Sequence, residues 1–200
     1  MGRLLATLYL ASALALPAGA STYTSAFGFT LTVPDSWLAL TRDQLASHPD
    51  LLNPSNSKLP SVDPKALADL RTKIEAGTVE IFLRPAQDQT FTDNISILRQ
   101  KSPAPQSDAE LTAMCSALPT RLAKRAGRPI AVSSCMFANS GAGKSLYIEY
   151  DGFVPGTTVM QYQLPRPSGA TVVITATVKS SELGTLRPEF KSVVGSIREE

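Results

Sequence analysis

Histidine and cysteine are scarce in this chain. Among 200 residues there is one His and there are 2 Cys, too few for a zinc finger or an iron–sulfur centre. Charge of one sign is also lacking: 19 Lys and Arg stand against 17 Asp and Glu. Nucleic-acid binding needs a clustered basic face, so no nucleic-acid partner is expected. The acidic residues are scattered and form no calcium loop. No Gly-x-Ser-x-Gly elbow is present for a hydrolase nucleophile. These absences leave no metal, no cofactor and no assembled catalytic set to expect.

Long apolar runs are missing too, with one exception. Leu4 to Leu16 is uncharged and apolar, preceded by Arg3 and ended by Pro17. At about 13 residues it is short of the roughly 20 that span a bilayer. Ala18 and Ala20 suit the small pockets of a signal peptidase. The expectation is a signal peptide over residues 1–20, cleaved before Ser21, and one exported domain over 21–200. Ser21 stands where a bacterial lipoprotein needs Cys, and Ala6 stands where myristoylation needs Ser or Thr. The mature chain is therefore expected to be periplasmic or secreted, without a membrane span or lipid anchor. Export changes the meaning of Cys115 and Cys135: in an oxidising compartment they form a disulfide, the alternative being two buried thiols.

The patterning of the remainder suggests an α+β domain. Phe27, Phe29, Leu31 and Val33 alternate with small polar residues and predict a strand. Thr41 with Gln44 predicts a short helix to Ser47. Asp63-Pro64 opens a helix carrying Leu67, Leu70 and Ile74, and Gly77 ends it. Strands are predicted over 78–83 and 93–99. Ser107 and Glu110 form a capping box for a helix whose stripe includes Leu111, Met114, Cys115, Leu118 and Leu122, with a kink or break at Pro119. Four strands, 129–137, 143–150, 157–164 and 170–179, suit an antiparallel meander. Phe190, Val193, Val194 and Ile197 mark a closing helix after Pro188.

Several residues invite a functional reading. Ser140-Gly141-Ala142-Gly143-Lys144-Ser145 is similar to a phosphate-binding loop, but Leu146 to Tyr150 directly after it alternates like a strand, and the string reads as a hairpin turn. Ser55 and Lys58 match Ser-x-x-Lys without its companion tripeptides. His48 paired with Asp43 or Asp50 would be a general base for an uncharacterised hydrolase; a solvated loop histidine is the plain reading. Glu149 and Asp151 share a strand face and read as solvated carboxylates. Asn94-Ile95-Ser96 is a glycosylation sequon lying within a predicted strand. Trp37 is either a core anchor or one wall of a groove, with Leu51, Leu52 and Leu59 facing a small apolar or amphipathic ligand.

The string Phe27-Gly28-Phe29-Thr30-Leu31-Thr32-Val33-Pro34-Asp35-Ser36-Trp37 resembles the opening strand and Pro-x-x-Trp corner of the PsbP/Mog1-like superfamily, which includes exported bacterial DcrB-like proteins. Asp93 to Ile97 is similar to that group's central strand, and Pro188 through Ile197 to its closing helix. The resemblance implies a single α/β/α sandwich around a mainly antiparallel sheet. It implies an accessory or binding role, with an exported or envelope protein as partner and no catalytic residues.

Overall fold

The computed structural model describes residues 19–53, 63–85 and 91–199. The first strand, β1 (Ala20–Ser25), pairs antiparallel with β2 (Phe29–Pro34), and β2 also takes the short last strand β10 (Arg198–Glu199). The larger sheet contains β3 (Leu38–Leu40), β4 (Val79–Leu83), β5 (Asn94–Gln100), β6 (Val132–Ser140), β7 (Gly143–Asp151), β8 (Thr157–Pro165) and β9 (Thr171–Lys179). Its order is β3-β4-β5-β9-β8-β7-β6, with every described pairing antiparallel.

Helices sit where the caps direct them. Thr41 Oγ1 accepts from Gln44 N at the start of α1 (Arg42–Ser47). Asp63 accepts from Ala66 N at the start of α2 (Pro64–Glu75). The Ser107–Glu110 capping box opens α3 (Asp108–Ala126), and Gly127, in the left-handed region, closes it. The helix does not break at Pro119. It runs on through that residue, because Met114, Leu118 and Leu122 on either side pack on the sheet and hold one continuous face. The closing helix α4 (Leu183–Gly195) begins before Pro188, which lies in its second turn.

The inner face of the large sheet buries Phe82, Ile95, Ile97, Met160, Tyr162, Val172 and Ile174. Against it pack Phe27 in the β1–β2 turn, β2 through Phe29, Leu31 and Val33, and α4 through Leu186, Phe190, Val193 and Val194. The outer face carries α3 at one end and α1 with α2 at the other. This is the expected α+β sandwich around an antiparallel sheet, with a small second sheet sharing the inner cover. Sequence patterning passed over β1, β3 and β10, and placed the strand over 129–137 three residues early; the strand is β6.

Gly141 shows why the glycine-rich string is structural. It lies at the β6–β7 turn, and its N–H donates to Val194 O at the end of α4. A Cβ there would stand 2.2 Å from Ile197 O and 2.6 Å from Gly195 O. Only glycine permits this approach of two backbones. The turn docks on a helix C-terminus, whose exposed carbonyls repel a phosphate.

Candidate functional site

The outer face of the large sheet changes character across its width. Cross-strand partners share a face, so the register can be read row by row. One row runs Leu40, Ile81, Ser96, Thr175, Gln161, Ile148, Cys135. The next runs Val79, Leu98, Val173, Gln163, Leu146, Phe137. The ends are apolar and lie under helices. The middle of the first row, on β5, β9 and β8, is polar, and Leu98 beside it is 38% exposed. Between the helices the sheet floor therefore carries half-buried polar side chains.

A cavity of about 760 Å³ lies along this floor beside α3. Its floor is Ile148, Tyr150, Gln161 and Gln163, one wall is α3 from Glu110 to Arg125, and the other is the connection from Gln100 through Ser102 to Gln106. The wall is stapled: Cys115 on α3 and Cys135 on the edge strand β6 form a disulfide, with their Cα atoms 5.8 Å apart. Leu122, with Leu111, Met114 and Leu118, packs on Leu146, Ile148 and Tyr150 and completes the attachment.

The polar groups of the cavity have definite states. Gln163 Nε2 donates to Gln161 Oε1 at 2.9 Å, and Gln161 Nε2 donates to Thr175 Oγ1 at 3.0 Å. Burial pushes the Tyr150 phenol above its ordinary pKa, partly offset by nearby Arg125. The Glu110 carboxylate accepts from the Gln106 and Ser107 backbone N–H groups, which hold its pKa below the usual range. Arg121 and Arg125 stand one helical turn apart on the wall. Arg125 lies 5.0 Å from the centre of the Phe153 ring, and neither arginine forms an ion pair among the described residues.

The residues singled out from the sequence lie mostly elsewhere. Trp37 is 5% exposed, belongs to the inner core, and donates through Nε1 to Glu189 on α4. Leu52 is buried in the separate cluster under α1 and α2, with Leu51 packed beside it. Trp37 and the two leucines therefore sit in different clusters and do not share a wall. Leu59, Ser55 and Lys58 lie outside the described residues. His48 is exposed at the end of α1. Asn94 is in β5, its side chain donating to Thr92 O.

Glu149 departs from its plain reading. It points to the inner side, buried, and accepts from Arg187 Nε at 3.0 Å and Nη2 at 2.6 Å, and from the Tyr147 hydroxyl. Burial pushes this carboxyl up, but the bonds from Arg187 and Tyr147 outweigh that and leave it below the ordinary range. Asp151 is the exposed member of the pair. No set of three or more His, Cys, Asp or Glu among the described residues could hold a metal ion. No helix among them is long and apolar enough to cross a membrane.

The α3 cavity was not legible from periodicity, because its pieces lie far apart in sequence. The signal that could have found it is the pair Gln161 and Gln163: two amides on the outward face of a strand in the middle of the predicted meander.

No protein-family model matches the sequence, and no curated protein does. Solved structures do match in shape. Cyanobacterial PsbP (CyanoP) from Synechocystis sp. PCC 6803 is 12% identical, with 96% of this chain and 99% of that chain covered, at a TM-score of 0.54. A protein of unknown function from Pseudomonas aeruginosa is 14% identical over 92% of this chain and 99% of that one, TM-score 0.49. The Saccharomyces cerevisiae Ran-binding protein Mog1p is 11% identical over 90% and 96%, TM-score 0.46. With its two-sided helical cover, seven-stranded antiparallel sheet and closing helix, the chain has a PsbP-like fold.

Proposed function

We propose that this chain is an exported, non-enzymatic accessory module, of the DcrB-like kind, that binds an exported or envelope protein along the trough beside α3. The observation that carries the reading is the open cavity beside α3, where the amides of Gln161 and Gln163 stand on a sheet face that is otherwise apolar under that helix. A central sheet face ordinarily buries aliphatic side chains under a helix; polar ones persist where something other than the chain's own core meets them.

The chemistry of the trough favours binding over catalysis. Its titratable groups are a phenol shifted away from neutral pH, two guanidinium groups and a carboxylate held ionised by a helix start. Groups with such states do not exchange protons readily near neutrality. The Cys115–Cys135 bond fits an oxidising compartment and supports export.

The test is site-specific photocrosslinking in a host that exports the protein. A crosslinking amino acid at Gln163 is expected to trap a discrete protein, whereas one at Asp69 on α2 is not. Equal yields at both positions would overturn the reading. Mass spectrometry of the exported material should show a chain beginning at Ser21, and an intact Met1 would refute the leader. A second reading, a carrier of a small amphipathic ligand, is favoured by the size of the cavity, which is in the range of small-molecule sites. Native mass spectrometry would then show copurified cargo instead of a trapped protein.

A further inference from the structure

The charges on the trough wall say what kind of segment it takes. Along α3 the groups facing the cavity are Glu110, Met114, Leu118, Arg121, Leu122 and Arg125. Glu110 is spent on the helix start, accepting from two backbone N–H groups, so its charge is already matched by the positive end of the helix dipole. Arg121 and Arg125, at the other end, have no carboxylate partner among the described residues. On the floor the polar side chains are Tyr150, Gln161 and Gln163, all neutral. The apolar side chains Met114, Leu118 and Ile148 occupy the middle of the wall and floor.

We infer that the trough recognises an acidic, aliphatic polypeptide segment of the partner, its carboxylates placed against Arg121 and Arg125 and its aliphatic side chains on Met114 and Leu118. This rests on the trough being the binding site. Length supports a polypeptide: from Glu110 to Arg125 the helix rises about 22 Å, which matches about seven residues of extended chain. Guanidinium groups suit the role, because their planar fork meets a carboxylate with two parallel hydrogen bonds.

The experiment uses the full mature chain and three labelled peptides of about eight residues, built from repeated Leu-Glu, Leu-Gln or Leu-Lys. Binding is read by anisotropy, and the site by amide NMR shifts of Gln161 and Gln163. The Leu-Glu peptide is expected to bind, to weaken as salt rises, and to lose about fivefold or more of its affinity in the Arg121→Gln/Arg125→Gln variant. Thermal unfolding of the variant, lowered only by the small loss of the Arg125 contact with Phe153, serves as the folding control. A Gln163→Trp variant, which fills the floor, should abolish the NMR shifts.

Each contrary result has its own meaning. If the Leu-Gln peptide binds as well as Leu-Glu and Gln163→Trp blocks both, the acidic specificity is overturned while the trough stands. If Leu-Glu binds with salt dependence but ignores Gln163→Trp, the trough is overturned as the site. If dodecanoate displaces the signal at Gln161 and no peptide does, a small amphipathic anion replaces the polypeptide, and the proposal fails.

Discussion

Replacing both Cys115 and Cys135 by alanine removes the staple that fixes the trough wall to the edge strand. The size of the effect is set by the loop. The two residues are separated by 20 positions, so the bond closes a ring of about 21 residues in the unfolded chain, and opening it costs about 3 kcal/mol by the chain-entropy relation. Both cysteines are only partly buried, so losing their sulfur atoms adds little packing cost. For a domain of this size, each kcal/mol moves the thermal midpoint by about 2–4 °C, and the midpoint should fall by about 6–12 °C. The assay is thermal and urea unfolding of the wild type and the double variant, each with and without reductant. Reductant should lower the wild type to the level of the variant and leave the variant unchanged. The urea slope should rise in the variant, because its unfolded chain is more expanded. Leu122 and its neighbours still hold α3 on β7, so amide protection over 118–122 in the native state should change little. Equal midpoints for wild type and variant would refute the reasoning, and loss of α3 protection would show that the staple shapes the native state and not mainly the unfolded one.

Three single substitutions test particular contacts. Gly141→Ala drives a Cβ into Ile197 O and Gly195 O and should cost about 1–3 kcal/mol, read by urea unfolding. Arg187→Ala leaves the buried Glu149 carboxylate without its cation; because Arg187 is itself 36% exposed, the loss should be about 2 kcal/mol, below that of a fully buried pair. Glu149 has a depressed folded pKa, so its contribution is present above the unfolded value near 4.3 and disappears as pH falls through the folded one. The acid limb of stability should therefore flatten in Arg187→Ala. Glu80 behaves oppositely. Its carboxyl is 1% exposed, accepts from Ser25 Oγ and Ala26 N, and is raised by burial despite those bonds. Its ionisation therefore lowers stability as pH rises from about 4.3 through the raised value. Glu80→Gln should remove that slope, measured as unfolding free energy against pH.

Where periodicity and capping are local, the sequence predicted the fold well. Thr41, Asp63 and the Ser107–Glu110 pair each begin a helix, and each does so through the side-chain oxygen that makes them recognisable. Phe27 to Val33 reads as a buried-face strand because all four apolar residues point into one core. Prolines misled: Pro119 and Pro188 both sit inside helices, because tertiary packing of the apolar face outweighs one lost hydrogen bond. The short strands β3 and β10 have too few residues for any period to show. Trp37 invites a groove reading by its size, but its indole N–H finds Glu189, some 150 positions away, and no local pattern foretells that contact.

The trough illustrates why a site of this kind resists sequence reading. The polar row that leads to its floor takes Ser96 from β5, Thr175 from β9 and Gln161 from β8, the last of them lining the cavity. Each, alone, looks like the solvent side of an ordinary amphipathic strand. Only the order β5-β9-β8 brings them together in the middle of a seven-stranded sheet, where a solvent-facing side is no longer ordinary. Helices could have covered the row, but burying Gln161 and Thr175 requires partners for every amide and hydroxyl group, and an aliphatic helix face supplies none. The polar row and the cavity beside α3 thus meet at Gln161. The staple from Cys115 to Cys135 adds the second half of the argument. It joins α3 to the edge strand β6, beside the packing of Leu122 on β7.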